Sequence, residues 1–188
     1  EPVEAATVTG NIDTWIYTWS DLDKTYAGEP IIYSVEEIGY YTKDSDTMIS
    51  GIPSGYQVVF GENSVNNPEI VVRNVYPKLE ISKQSLTHES SSNGQEVAGA
   101  VLAIYAYDEA AGSATGDALL TITTGTAPVV LESEELNKLE IGKTYLLVEE
   151  EVPAGYLKAA DQTFTLNEDG TTTIVVMRDE TTRVWISK

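Results

Sequence analysis

Three residues far apart in the chain supply an amine, an acid and a carboxyl acceptor. They are Lys83 in Leu79-Glu80-Ile81-Ser82-Lys83, Glu149 in Tyr145-Leu146-Leu147-Val148-Glu149, and Asp179 in Val175-Val176-Met177-Arg178-Asp179. Each stands at an alternation-consistent place in an apolar, strand-like run. Lysine is a nucleophile only as the neutral amine, and burial among apolar side chains favours that form. Burial also favours a protonated carboxyl, which can hydrogen-bond the acceptor's carbonyl, and fixed positioning lowers the barrier. The product would be a Lys–Asp isopeptide bond, formed once with release of water. The bland alternative is a buried Lys83–Asp179 ion pair with Glu149 beside it. On these residues alone the ion pair is the stronger reading.

Composition removes most other chemistry. Cys is absent and His88 is the single histidine, in the Ser-rich run Ser85 to Ser92. Disulfides, thiolate metal sites, zinc sites and His-based nucleophilic catalysis are therefore not expected. Neighbouring acids such as Glu36/Glu37 and Glu149/Glu150 point to opposite faces of a strand, so they cannot share a glycosidase cleft. Asp44, Asp46, Asn66, Asn67, Asn167 and Asp169 lack EF-hand spacing and read as turn residues. No metal or cofactor is expected. The formal net charge of −19 argues against nucleic acid and against anionic membrane surfaces. No run of 18 apolar residues marks a membrane span. No signal peptide or C-terminal sorting signal is apparent, which suggests a mature segment of something longer.

The elements that must position the triplet are strands. The chain has 188 residues, 41% of them hydrophobic, with 11 Tyr against 2 Phe. Its apolar runs are rich in Val, Ile, Thr and Tyr, which is strand chemistry. A pattern repeats after about 100 residues, as in tandem domains. In the first half Ile31 to Glu37 is followed, after an insertion Ile38 to Gly51, by Ile52-Pro53-Ser54-Gly55-Tyr56. In the second, Tyr145 to Glu151 runs directly into Val152-Pro153-Ala154-Gly155-Tyr156. Each half then closes with a Val/Ile-rich strand, Glu69 to Asn74 and Thr173 to Asp179. Val75-Tyr76-Pro77-Lys78 reads as a short, stiff linker. The expected domains are 1–77, lacking a counterpart of the Leu79–Lys83 strand, and 78–180. Residues 181–188 form a fresh strand that begins a further domain or completes the first one by strand addition.

Further strands are expected over Val97 to Tyr107, Leu119 to Thr124 and Thr163 to Asn167. Gly94 and Gly125 should turn, and Asn167-Glu168-Asp169-Gly170 should close a hairpin. Trp15, Tyr17 and Trp19 alternate on one expected strand face and read as core rather than as a sugar-stacking surface. Tyr40 and Tyr41, in the insertion, are better placed for ligand contact. Ser20 to Tyr26 and Glu132 to Leu139 are the only helical hints. Short strands with frequent turns predict an all-β protein of tandem Ig-like sandwiches.

These residues resemble the collagen-adhesin B-type (CnaB) repeats of Gram-positive surface adhesins and pilins. Gly94 to Tyr105 is similar to the family's glycine- and alanine-rich strand. Tyr145 to Tyr156 resembles the pilin E-box, departing from it at Glu150, where Thr is common. Trp15 to Leu22 resembles a sister variant. The resemblance implies a reverse-Ig sandwich and a self-made cross-link, with Lys83 as amine, Asp179 as acceptor and Glu149 as catalytic acid. Asn is the commoner acceptor in the family. The first-half counterparts would be Glu36 and Asn74, with Lys188 in the right local context to be the missing amine. Val75-Tyr76-Pro77-Lys78 is similar to the core of the pilin motif, which would make Lys78 a sortase acceptor, but Leu79 stands where that motif has Asn. The function implied is a mechanical stalk outside the cell, held in a cell-wall-anchored protein, with self-cross-linking rather than enzymatic turnover. Its implied partners are neighbouring domains, a host matrix protein or glycan, and a sortase.

Overall fold

A computed structural model describes residues 16–61, 69–86 and 94–182. The described residues up to Val35, with Glu69 and Ile70, belong to one compact unit, and the remainder to a second. Among the described residues no helix is long and apolar enough to cross a membrane.

In the first unit β1 (Thr25–Tyr26) pairs antiparallel with β2 (Glu29–Pro30). Ile31 N–H extends the pairing to the Lys24 carbonyl at 3.0 Å. Ser20 to Tyr26 is not helical, and Ile16 to Ser20 is not a strand. Tyr17 and Trp19 meet edge-on, 4.7 Å between ring centres, with Tyr17 exposed and Trp19 half-buried. The expected core face of Trp15, Tyr17 and Trp19 is thus not formed by the two described members; Trp15 lies outside the described residues. Alternation orders side chains only where a neighbouring strand holds the backbone extended, and among the described residues this segment has none.

The second unit begins with two short antiparallel pairs. β3 (Gly39–Tyr40) pairs with β4 (Ile49–Ser50) inside the insertion, and β5 (Gln57–Phe60) with β6 (Val72–Val75). Then come β7 (Lys78–Leu86), β8 (Val101–Asp108), β9 (Ser113–Thr123), β10 (Val129–Glu132), a 3-10 turn (Ser133–Leu136), β11 (Thr144–Glu151), β12 (Gln162–Thr165) and β13 (Thr173–Glu180). They form a sandwich of a three-stranded sheet, β10-β7-β13, and a four-stranded sheet, β12-β11-β8-β9. The all-β, Ig-like expectation holds.

The core follows from period-two alternation. On β7 Leu79, Ile81, Lys83 and Ser85 are buried; on β13 Thr173, Val175, Met177 and Asp179 are buried. They join Leu102, Ile104, Tyr145, Leu147 and Phe164 from the four-stranded sheet, and Leu166 just after β12. β13 returns to lie parallel to β7, with Met177 opposite Lys83 and Asp179 opposite Ser85. That pairing sets the first and last strands of the sandwich side by side.

Asn167 to Gly170 does not close a hairpin. β12 pairs with β11, and β13 with β7, so the turn carries the chain between sheets. Asp169 Oδ1 stabilises it by accepting from Thr171 N at 2.9 Å and Thr171 Oγ1 at 2.6 Å. Val75 to Lys78 also differs from a free linker: Val75 ends β6, Lys78 begins β7, and Val75 and Pro77 are buried.

Candidate functional site: a buried amine between two carboxyls

Lys83 and Asp179 reach the core from adjacent strands of one sheet, and Glu149 enters from the facing sheet, opposite Leu102 on β8. All three side chains have no exposure to solvent. The Lys83 ammonium nitrogen contacts Asp179 Oδ1 directly and lies 3.1 Å from Glu149 Oε1. The latter approach lacks the alignment of a hydrogen bond, so Glu149 Oε1 and Asp179 Oδ2 are buried acceptors without a hydrogen-bond partner among the described residues. Burial raises the Asp179 carboxyl above its ordinary range; the Lys83 charge opposes that shift and Glu149 adds to it. A carboxyl that favours its proton, touching the lysine nitrogen, is in the acceptor form that amide formation needs.

The loop after β11 holds Glu149. Val152-Pro153-Ala154-Gly155-Tyr156 turns through a Tyr156 N to Pro153 O bond of 3.2 Å, with Gly155 at φ 93°, a conformation that favours glycine. The chain then runs along the end of β13, Leu157 N donating to Glu180 O at 2.8 Å. This brings Ala159 N to Glu149 Oε2 at 2.9 Å. Glu150 points outward, accepting from the Tyr105 hydroxyl at 2.7 Å, as strand geometry requires of Glu149's neighbour.

The two described first-half counterparts are not buried as this triplet is. Glu36 is exposed, and Asn74, also exposed, donates to Glu37 Oε1 at 3.2 Å. Lys188 lies outside the described residues, as do His88, Asn66 and Asn67. Lys78 is half-buried in β7, opposite Glu132. Tyr40 is half-buried and Tyr41 exposed. Among the described residues no group of three or more His, Asp or Glu converges as metal ligands would.

Sequence reasoning missed two groups that brace the triplet, the Ala159 amide and Glu96. Glu96 Oε2 accepts from the backbone N–H of Lys83 at 2.9 Å, and Oε1 from the Ser82 hydroxyl. A half-buried acid two residues after a glycine was the available signal, and it is a weak one.

Residues 82–181 match the SpaA prealbumin-like fold domain. None of the curated proteins matches this sequence. Among solved structures, the minor pilin of Streptococcus agalactiae is similar at 17% identity and TM-score 0.42, over 63% of this chain and 51% of that one. The shaft pilin SpaA of Lactobacillus rhamnosus GG is similar at 12% identity and TM-score 0.44, over 74% and 63%. The Bacillus anthracis TIE protein is similar at 18% identity and TM-score 0.39, over 67% and 24%. The chain thus spans about half the length of the S. agalactiae pilin. The matched stretch covers more than half of the sequence and includes Lys83, Glu149 and Asp179, and the chain belongs to the SpaA prealbumin-like fold domain family.

Proposed function

We propose that this chain is a stalk module of a Gram-positive surface pilin or adhesin, built of collagen-adhesin B-type sandwiches and locked by a Lys83–Asp179 isopeptide bond that it forms itself. The observation that carries the reading is the fully buried amine in contact with one carboxyl and 3.1 Å from a second. In the reaction the neutral Lys83 nitrogen attacks Asp179 Cγ, the new C–N bond replaces a C–O bond, and water leaves. Glu149 takes a proton from the nitrogen, passes one to the leaving oxygen, and ends as it began. A buried acceptor without a partner costs about 1–3 kcal/mol, and expelling an Asp179 oxygen as water relieves one such cost.

The bond would join the first and last strands of the sandwich. These lie parallel, so a force on the two ends of the module would otherwise be opposed by backbone hydrogen bonds worth about 1 kcal/mol each. With the cross-link the load passes through a covalent bond. That suits an extracellular spacer on the cell wall whose partners are its neighbouring domains, with residues up to 77 belonging to a preceding module. The reaction occurs once per module and is not turnover.

Intact mass of the denatured protein at isotopic resolution tests the reading. The expected result is the loss of one water, abolished in Glu149→Ala. An unshifted mass would leave a sandwich with a buried ion pair.

A further inference from the structure

We infer that Glu96 is a positioning residue for the nucleophile, acting through the backbone of Lys83; this rests on the cross-linking role proposed above. β10 covers one edge of β7 only as far as Ile81, the last residue of that ladder. Beyond it the edge is covered by residues 94–97. Ser85 N donates to Gln95 O at 3.0 Å and Val97 N to Lys83 O at 2.7 Å, around an isolated Gln84–Glu96 bridge. Gly94 permits this approach, since a Cβ there would stand 2.0 Å from the Ser85 carbonyl oxygen.

Continuing that antiparallel pattern would give the Lys83 N–H to the Val97 carbonyl. The carbonyl is instead turned to the Thr124 hydroxyl, which donates to it at 2.6 Å, and Gly99 N bonds Thr124 O at 2.9 Å. The chain leaves the ladder at the residue that carries the amine. The Glu96 carboxylate takes the missing carbonyl's place on the Lys83 N–H, and the Ser82 hydroxyl holds its other oxygen. Gln84 Nε2 adds a bond to the same hydroxyl at 2.8 Å. A carboxylate is a stronger acceptor than the carbonyl it replaces. It fixes the strand where a shift of the backbone would carry the amine away from Asp179.

The test is the rate of water loss in freshly made protein. Wild type, Glu96→Gln, Glu96→Asp and Glu96→Ala are produced by cell-free synthesis, quenched in denaturant at intervals, and weighed against their own sequence masses. Glu96→Gln keeps an oxygen within reach and should cross-link within about threefold of wild type, while Glu96→Asp and Glu96→Ala, which cannot span the gap, should slow by about tenfold or more. Glu96→Asp perturbs the fold least and decides the matter if Glu96→Ala does not fold. Leu139→Ala, a core truncation outside the triplet, serves as the control for destabilisation alone. Equal rates in all Glu96 variants, or slowing no greater than in a Leu139→Ala protein of equal Tm loss, would overturn the positioning role while the cross-link stands. An unshifted wild-type mass would overturn both.

Discussion

Pro53-Ser54-Gly55-Tyr56 and Pro153-Ala154-Gly155-Tyr156 fold alike. The Tyr N–H meets the Pro carbonyl at 3.1 and 3.2 Å, and the glycines take φ of 84° and 93°. Their surroundings differ. The acid ahead of the second turn is Glu149, on a strand paired on both sides and facing a covering sheet. The acids ahead of the first are Glu36 and Glu37, in a segment without strand pairing among the described residues and separated from the turn by the insertion. A turn needs four residues of the right type, whereas a buried amine between two carboxyls needs three strands from two sheets. The same local grammar therefore yields a dry triplet in one place and an exposed amide–carboxylate contact in the other.

The largest way to break the comparison is to block the proposed Lys83–Asp179 bond beside the second turn. Lys83 and Asp179 are 96 positions apart. Closing a loop of that length with a covalent bond restricts the unfolded chain by about 4–5 kcal/mol. Glu149→Gln keeps shape and burial but blocks the reaction, so its Tm should fall by about 15–35 °C for a domain of this size. Calorimetry measures it, and a fall of only a few degrees would mean that the folded protein carries no such bond.

The triplet was legible because alternation alone turns Lys83, Glu149 and Asp179 inward, and because long apolar runs make the burying sheets. The paired Pro-x-Gly-Tyr turns were legible for the opposite reason, being set by four neighbouring residues. Glu96 was not legible: its role exists only because the ladder beside β7 breaks at Val97, and a break in pairing has no periodic signature. Asn167 to Gly170 has the residues of a turn, but turn residues do not say whether the next strand pairs with the last one or crosses to the other sheet. Trp15 to Trp19 alternates as well as any strand here, yet Tyr17 and Trp19 stand in no strand among the described residues, so alternation alone does not make one.

Acid should expose the second copy's buried carboxyl in the uncross-linked protein. Burial raises Asp179 in the folded state, so its contribution is fully present below the carboxyl's unfolded value of about 4 and is lost as pH rises through the folded value. The Tm advantage of Glu149→Gln over Glu149→Gln/Asp179→Asn should therefore be greatest near pH 4 and shrink toward pH 7. A growing advantage would mean that attraction to Lys83 outweighs burial. If wild type carries the proposed amide at Asp179, this dependence should vanish there.

The turns themselves give a smaller contrast. Gly155→Ala meets no atom within 4 Å, so it carries only the backbone strain of a positive φ, about 1–2 kcal/mol. At Gly55 the same change adds a clash, because the new Cβ would lie 1.8 Å from Ser133 Oγ. That turn is tied to the sandwich nearby, Gln57 Nε2 donating to Leu139 O at 2.6 Å and Ile141 N to Gln57 Oε1 at 2.8 Å. Gly55→Ala should cost more than Gly155→Ala in denaturant unfolding, and Gly55→Ala/Ser133→Ala should recover the excess. Equal costs would show that the Gly55 turn does not press on Ser133.

The smallest effect belongs to the first copy's acid, and it sharpens the comparison most cheaply. Glu36 is exposed and Asn74 pairs with Glu37 instead. An exposed carboxyl has no fixed geometry from which to transfer a proton. Glu36→Ala should therefore leave the intact mass pattern of wild type, a single loss of water, and shift stability by less than about 0.5 kcal/mol. A further loss of ammonia in wild type, absent from Glu36→Ala and from Asn74→Ala, would show the opposite: that Lys188 or an equivalent amine reaches Asn74, and that the first copy also closes into a dry site. The position of the acid in the repeat would then matter more than the pairing of the segment that carries it.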